Sequence, residues 1–257
     1  METNGWLPGY TRYGIPGRPG GEYRDGSVAK VVLHTTEGPT AAGALGAYRA
    51  GTGCPHVTVD LGRKLFYQHV PLTKHAYALR NETSGGETNR ERAYQVEIVG
   101  YAQDTPDQDI DWYMRLAYDV IRPIMNMMGD VKIVFPQFGF GGSERYGQGK
   151  KGRMGRPQWE AFNGICGHQH VPENTHWDPG KLDDVLLGAL LKQEDGQMAY
   201  FEKYSDPEVG KEYIVSQKRD GKIVFRPFSQ PRGDGFEMKG LSIVLGEWSA
   251  KGIVQEV

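Results

Sequence analysis

Apolar residues recur along most of the chain with two alternating periods, one typical of strands and one of helices. Strand-length apolar runs cover residues 28–33, 56–60, 64–68, 94–99 and 131–135. Helical spacing predicts a small-residue helix over 41–48, a long helix over 110–128 that Pro123 should kink, and a helix over 182–190. Strands that alternate with helices predict an α/β fold, with a mixed central β-sheet flanked by helices favoured over a purely parallel sheet.

The pattern changes at both ends of the chain. Residues 1–27 are rich in Gly, Pro, Tyr and Arg, which predicts an irregular aromatic arm. After residue 192 the pattern contains strands only, with an Asp-Gly hairpin signal at 220–221. The strands expected there are 213–217, 223–228 and 241–245. We therefore expect an arm (1–27), an α/β domain (28–192) and a small all-β module (193–257).

Composition narrows the classes of function. The chain of 257 residues is 38% hydrophobic and 24% charged, as in globular proteins with a proper core. Its net charge of −2 argues against nucleic acid or an anionic membrane as the main partner. No apolar run approaches the roughly 20 residues of a membrane span, and the first residues lack the layout of a signal peptide. We expect no membrane insertion, and two reduced cysteines rather than a disulfide framework.

The chemistry concentrates in residues 167–180, which contain three of the seven histidines and one aspartate between Trp and Pro. The following proline biases Asp178 toward extended backbone. If that backbone is extended, His176 and Asp178 point the same way, and the same argument places His168 and His170 on a common face. Imidazoles and a carboxylate that converge from one loop outline a first-row metal site, with zinc favoured. The alternative is a polar loop whose histidines only form hydrogen bonds.

A further histidine, His34, lies at the end of the first predicted strand, where sites form in α/β sheets. Two hydroxyl residues and a turn follow it. His34 would complete a set of two His and one Asp with a fourth position open, and three protein ligands plus water are typical of catalytic zinc. Such a zinc ion brings the pKa of water to roughly 7 and polarises a carbonyl group. A structural histidine is the alternative.

A hydrolase of this kind also needs a proton acceptor and a donor. Glu97 is the carboxylate inside an otherwise apolar strand, so its burial there needs a reason. It is either the acceptor or a rim residue that pairs with an arginine such as Arg92. His176, two residues before Asp178, is placed to stabilise an oxyanion or to donate a proton.

In this order the residues resemble the zinc-dependent N-acetylmuramoyl-L-alanine amidases, which share the fold of peptidoglycan recognition proteins. The resemblance lies in Val-Leu-His-Thr-Thr (32–36), in Gln-Val-Glu-Ile-Val-Gly (95–100), and in Gly-His (167–168) followed by Asp-Pro-Gly (178–180). The ten-residue step from His168 to Asp178 also matches the family. Endolysins of actinobacterial phages are the most similar members, because they share the aromatic arm, His-Thr-Thr-Glu-Gly and the stretch 85–90.

The resemblance covers about residues 6 to 191 and implies a role for each matching residue. The implied ligands of one zinc ion are His34, His168 and Asp178, and the implied catalytic residues are Glu97 and His176. His176 falls where many members have a lysine that steadies the oxyanion, so its role departs from the family's pattern. The residues expected to line the substrate are His56, Tyr77 and Thr35, with a structural role as the alternative for His56.

The resemblance implies a peptidoglycan hydrolase, a phage endolysin with the activity EC 3.5.1.28. Such an enzyme cleaves the amide bond between N-acetylmuramic acid and the L-alanine of the stem peptide with zinc-activated water. We expect a monomer that stays in the host cytoplasm, reaches the bacterial cell wall after a separate protein permeabilises the membrane, and binds peptidoglycan. The module at 193–257 either grips the wall or packs on the amidase.

Two alternatives remain open at the level of sequence. A non-catalytic peptidoglycan-binding module on the same fold would be expected to have lost a ligand, whereas all three are present. A zinc amidase that acts on small muropeptides would have less need of an extra β module.

Overall fold

The computed structural model describes residues 4–51, 53–79, 88–145, 152–172 and 174–192, and the backbone of three strands beyond them. Contacts divide the chain into two units, Met1–Leu191 and Lys192–Val257, and each is described by itself.

The described residues of the first unit form six strands and five α-helices. The strands are β1 (Thr11–Arg12), β2 (Lys30–Thr35), β3 (Val57–Asp60), β4 (Leu65–Gln68), β5 (Ala93–Ile98) and β6 (Gly164–Gly167). The α-helices are α1 (Ala41–Ala50), α2 (Ile110–Arg115), α3 (Arg122–Met128), α4 (Arg156–Ala161) and α5 (Asp184–Leu191). Short 3-10 helices cover Ala102–Asp107, Ser143–Arg145 and His168–His170.

The six strands form one sheet in the order β1-β4-β3-β5-β2-β6. Neighbouring strands are parallel except for the hairpin of β3 and β4. The prediction of a mixed central sheet flanked by helices is confirmed. Because β2, β5 and β3 are parallel and central, their carboxyl ends lie at one edge of the sheet, where α/β proteins place their sites.

One apolar cluster covers the sheet face that carries Val32, Ala93 and Cys166 on β2, β5 and β6. Trp159 of α4 packs into this cluster with less than 2% of its surface exposed. Both cysteines are buried and free, as expected of reduced thiols.

The predicted helix over 110–128 is helical throughout, but a π-helical stretch, Leu116–Ile121, separates α2 from α3. Pro123 comes directly after that stretch, in the first turn of α3. The helix continues through this point, so the proline removes an N–H that would bond to the preceding turn, and the π-helical stretch lies where this ladder is interrupted.

The predicted strand at 131–135 is wrong, because this segment is irregular. It runs beside β6 and accepts a hydrogen bond from Ile165 N at Val134 O. The N–H of Val134 turns back to Lys132 O instead of continuing a ladder, and Lys132 N donates to the side chain of Asn163. Apolar character alone did not reveal these local turns.

The N-terminal arm is more regular than expected, because it supplies the edge strand β1, which pairs with β4. Gln68 of β4 fixes the arm with its side chain. Its Oε1 accepts from Leu7 N at 2.7 Å, and its Nε2 donates to Gly5 O at 2.8 Å. The arm therefore belongs to the sheet of the first unit.

In the second unit the strands β7 (Phe201–Ser205), β8 (Glu212–Gln217) and β9 (Ile223–Pro227) form an antiparallel sheet of their own. Two of these strands match the predicted hairpin around residues 220–221, and the predicted strand at 241–245 lies outside the described residues. Across the part of the chain that the structure describes, none of the helices has the length and apolar character needed to cross a membrane.

Candidate metal centre and active site

Three of the predicted site residues converge at the carboxyl edge of the sheet. His34 comes from β2, His168 from the 3-10 helix after β6, and Asp178 from the loop that follows. All three side chains are buried, and one ligand atom from each lies within 4.8 Å of the other two.

The distances between the candidate ligand atoms fit a site for one divalent metal ion. His168 Nδ1 lies 3.2 Å from Asp178 Oδ1, and His34 Nδ1 lies 3.5 Å from Asp178 Oδ2. Zinc bonds of 2.0–2.1 Å in a tetrahedral site place two ligand atoms about 3.3 Å apart. The donor set of two imidazoles and one carboxylate is also one that zinc accepts.

The charge states suit ligands as well. Burial lowers the pKa of His34 to about 4, so its imidazole is neutral at pH 7, the form that binds metal. Burial opposes ionisation of Asp178, but the surrounding imidazoles outweigh it and hold the pKa of Asp178 well below its usual value. The cluster thus presents an ionised carboxylate at neutral pH.

The hydrogen bonds of His34 differ from those of the structural histidines in this chain. His56 and His170 each use both ring nitrogens to bond protein groups. In contrast, His34 Nε2 is buried and has no hydrogen-bond partner among the described residues, while its Nδ1 faces Asp178. A buried imidazole with so few protein bonds is better explained as a ligand than as a structural cross-link.

Gln169, which is fully buried, builds the loop that carries Asp178. Its backbone N–H donates to Asp178 O at 2.9 Å. Its side-chain Nε2 lies within hydrogen-bond distance of Trp177 O and Gly180 O, at 3.0 and 2.9 Å. One buried carboxamide therefore ties the loop on both sides of the ligand.

The expectation that His168 and His170 share a face is wrong, because residues 168–170 form a 3-10 helix rather than a strand. His170 points away from the ligands. Its Nδ1 accepts from Gly167 N at 2.9 Å and its Nε2 lies 2.9 Å from Gly139 O, so the ring is neutral with the proton on Nε2.

Glu97 lies next to this cluster. It is the in-register partner of His34 on the adjacent parallel strand, so the two side chains emerge on the same face of the sheet. The residue as a whole is half-buried, and its carboxyl group makes no hydrogen bond or ion pair with the residues that the structure describes. Arg92 pairs with Asp130 at 2.6 Å instead, so the alternative of an Arg92–Glu97 pair does not occur.

Burial raises the pKa of Glu97 well above its usual value, and the nearby charges of Asp178 and Glu37 add to the effect. A carboxylate with a raised pKa accepts a proton more readily than an ordinary one. Glu97 therefore has the location and the basicity of a general base.

His176 lies at the open side of the cluster, with 61% of its side chain exposed. Its ring stacks on that of His168, with centroids 4.3 Å apart, and its Nδ1 is 3.5 Å from Asp178 Oδ1. The buried Arg153 donates to His176 O at 2.9 Å and holds the backbone of this loop. The imidazole is thus next to the proposed ligands and open to solvent.

The three residues expected to line the substrate are placed differently. His56 has no exposed surface, and Thr35 is buried with its hydroxyl donating to Glu37 Oε1 at 2.6 Å. Tyr77 is partly buried against the ring of His75. These positions favour the structural alternative for His56 and an indirect role for Thr35, and no described contact joins Tyr77 to the ligands.

Two residues near the site were missed by the sequence analysis. Glu37 follows His34 by three residues, and its Oε1 also accepts from Ala102 N at 2.9 Å. Its φ of +48° is uncommon for a residue other than glycine and was the kind of signal that a sequence does not display. Arg153 lies in a Gly-rich basic segment that gave no sign of a buried guanidinium.

Comparisons with known proteins give limited similarity. No protein-family model and no curated protein matches the chain. Among solved structures, the hydrolase AmiA of Staphylococcus aureus, in complex with its ligand, has a TM-score of 0.49 and 15% identity over 72% of this chain and 83% of that one. A selenomethionine derivative of AmpD scores 0.45, with 18% identity over 75% of this chain and 99% of its own.

The solution structure of Citrobacter freundii AmpD scores 0.44, with 18% identity over 77% of this chain and 99% of that chain. All three scores lie below 0.5, so a function for this chain must be argued from its own residues.

Proposed function

We propose that this chain is a zinc-dependent N-acetylmuramoyl-L-alanine amidase that acts as a phage endolysin on bacterial peptidoglycan. One observation carries the proposal. His34, His168 and Asp178 form a buried cluster with the spacing of metal ligands, and Glu97, which has no protein partner in the described chain, lies beside them. The motifs that resemble the amidases of actinobacterial phages supply the substrate class.

His34, His168 and Asp178 would hold one zinc ion. When bound, zinc acts as a Lewis acid and makes water nucleophilic at neutral pH. Three protein ligands would leave a fourth position open, as in catalytic rather than closed structural zinc sites.

The residues of the chain then carry the proton and the charge. Glu97 takes a proton from the water that attacks the amide carbonyl and returns it to the leaving nitrogen, so that a carboxylic acid and an amine result. His176, exposed beside Asp178, donates a hydrogen bond to the oxygen on which negative charge develops. Its ring is oriented by stacking on His168 and by the hold of Arg153 on its carbonyl.

The test is the release of new amino groups from purified actinobacterial peptidoglycan. The wild type is compared with a chelated sample, with the same sample after zinc is restored, and with Glu97→Gln. Glu160→Gln, which alters an exposed carboxylate, is the matched control. We expect chelation to abolish release, zinc to restore it, and Glu97→Gln to lower the rate by about 10²–10⁴-fold.

Metal content, measured by mass spectrometry, should stay at one zinc ion in Glu97→Gln. N-terminal alanine among the products identifies the bond that is cut. Zinc-loaded protein that binds the wall and releases no amine would instead identify a non-catalytic binding module, and activity on soluble muropeptides alone would identify an amidase of small fragments.

A further inference from the structure

Glu97 belongs to a row of polar side chains that crosses the sheet. Thr58 on β3 is its in-register partner on one side, as His34 on β2 is on the other. Neighbouring strands are about 4.8 Å apart and in-register side chains share a face, so Thr58 lies directly beside Glu97. Thr58 is fully buried, and a buried hydroxyl needs partners.

The partners of Thr58 form a chain whose direction can be assigned. His69 Nδ1 lies 2.7 Å from Tyr13 O, and a carbonyl only accepts, so His69 carries its proton on Nδ1. Burial lowers the pKa of His69, so the ring is neutral and its Nε2 is an acceptor. Thr58 Oγ1, 2.9 Å from that Nε2, therefore donates its hydroxyl proton to His69.

The hydroxyl of Tyr48 completes the chain. It lies 3.3 Å from Thr58 Oγ1, whose own proton is already used, so any hydrogen bond between the two runs from Tyr48 to Thr58. Tyr48 lies in α1, and its ring packs edge-on against the ring of His69, with centroids 5.7 Å apart. Burial and then the charge of Glu97 raise the pKa of Tyr48, so the phenol stays protonated at neutral pH.

We propose that Tyr48 is a positioning residue for Glu97, held in place by the chain from Thr58 through His69 to Tyr13 O. The inference rests on the function proposed above, in which Glu97 alternates between an ionised and a protonated form. A phenol both donates and accepts. Tyr48 can donate to the carboxylate before the proton is taken, and it can accept from the carboxylic acid afterwards while donating to Thr58.

This arrangement explains how Glu97 is oriented although it makes no hydrogen bond to the described residues in the resting structure. Thr58 is the neighbour of both groups, since it lies 3.3 Å from the Tyr48 hydroxyl and in register with Glu97. A general base is effective only when its carboxylate is aimed at the water, so the loss of this partner lowers turnover rather than substrate binding.

The test separates the hydroxyl from the ring and from stability. Tyr48→Phe removes only the oxygen, and Tyr10→Phe is the matched control, since Tyr10 OH donates to Asp119 O and neither residue belongs to the site. We expect kcat to fall about 10-fold in Tyr48→Phe, with KM and zinc content unchanged, and to stay at the wild-type value in Tyr10→Phe.

Thr58 supplies a second comparison. Thr58→Val keeps the volume and loses the hydroxyl, whereas Thr58→Ser keeps the hydroxyl and loses a methyl group. Positioning through the chain predicts the lower kcat in Thr58→Val and recovery in Thr58→Ser. Packing alone predicts no difference in kcat between the two folded variants. Equal kcat in wild type, Tyr48→Phe and Thr58→Val would overturn the inference.

A readout without zinc tests the contact itself and remains valid if the proposed function fails. In chelated protein labelled with ¹³C at tyrosine Cζ, the Tyr48 signal is assigned by its absence from Tyr48→Phe. It should shift in Glu97→Gln while the Tyr10 signal stays in place. If the wild type releases no amine, the proposed function fails on that result alone. If the chemical shift of the Tyr48 signal is the same in the wild type and in Glu97→Gln, the placement of Tyr48 beside Glu97 is overturned, whatever the outcome for the function.

Discussion

At the scale of single residues, histidines of one chain take different roles because their ring nitrogens have different partners. His56 Nδ1 accepts from Gln95 N at 2.9 Å, and its Nε2 lies 2.8 Å from Lys74 O. This pair of bonds requires the neutral ring with its proton on Nε2. His34 lacks such a pair and faces a carboxylate instead.

The buried, neutral His56 predicts a loss of stability in acid. Burial lowers its pKa from an ordinary 6.5 to about 4. Between these values the unfolded chain binds the proton and the folded chain does not, so the free energy of unfolding falls as the pH drops from 6.5 to 4. The loss from this group alone should reach about 3 kcal/mol by pH 4. Denaturant unfolding at pH 7 and at pH 4 measures it.

Because His34 and His69 also have lowered pKa values, the contribution of His56 must be isolated by a variant. His56→Gln removes the titrating group, so its free energy of unfolding should change by about 3 kcal/mol less than that of the wild type over the same pH range. An equal change in both proteins would show that His56 is not the group concerned.

The proposed role of His176 as a hydrogen-bond donor to the oxyanion can be tested by substitution. Its ring is exposed at the mouth of the cluster and stacks on His168. If it donates to the developing oxyanion, His176→Ala should lower kcat by about 10²–10³-fold with zinc content unchanged, and His176→Lys should restore part of the loss. If His176→Ala keeps the kcat of the wild type, His176 does not donate to the oxyanion and contributes only packing.

The sequence predicted that His34, His168 and Asp178 form one cluster, because motif spacing and family resemblance both depend on residue identity alone. It missed Glu37 and Arg153 for a physical reason. Glu37 has an unusual positive φ angle beside the site. Arg153 donates a hydrogen bond to the backbone carbonyl of a residue 23 positions away. Neither the φ angle of a residue nor a long-range hydrogen bond to the backbone can be inferred from residue type.

At the scale of elements, the site depends on how closely the loop after β6 approaches the 3-10 helix Ala102–Asp107. Gly180 has φ +85°, and a Cβ atom there would lie 1.9 Å from Ala102 O and 2.7 Å from Thr105 Oγ1. The backbone of both segments would have to move. Only glycine allows this contact two residues after Asp178.

Gly180→Ala should therefore destabilise the fold and also weaken zinc binding, because Asp178 moves with the loop. We expect a loss of about 3 kcal/mol or more in the free energy of unfolding, from steric overlap added to backbone strain. Denaturant unfolding and zinc titration are the two measurements.

Gly129 provides the matched control. It ends α3 with φ +73°, but a Cβ atom there would meet nothing within 4 Å. Gly129→Ala should cost only the backbone strain, about 1 kcal/mol, and leave zinc affinity unchanged. Equal losses of zinc affinity in the two variants would show that the loop contact does not position Asp178.

Elements were predicted well where the hydrophobic pattern and the hydrogen-bond ladder agree, as in β2, β5 and α1. The prediction failed at 131–135, where an apolar run turns back on itself through Val134 N to Lys132 O. It was incomplete for the arm, since β1 pairs with β4, a strand more than fifty residues later, and the side chain of Gln68 on that strand holds Leu7. In both places a partner distant in sequence decided the local structure.

At the scale of the whole molecule, all the proposed site residues belong to the first unit, Met1–Leu191, and come from segments far apart in the chain. The six-stranded sheet is what brings β2, β5 and the end of β6 to one edge. The antiparallel strands β7, β8 and β9 hydrogen-bond only with one another in the described part of the second unit.

Residues 193–257 either bind the cell wall or pack on the amidase, and a shortened chain distinguishes the two. A chain that ends at Lys192 keeps every strand of the six-stranded sheet, the three ligands and Glu97, so it should bind zinc and cleave a soluble muropeptide at the wild-type rate. If residues 193–257 bind the wall, its co-sedimentation with purified walls, and hence its rate on intact peptidoglycan, should fall. If the shortened chain instead loses its cooperative thermal transition, the module stabilises the amidase and is not a separate wall-binding unit.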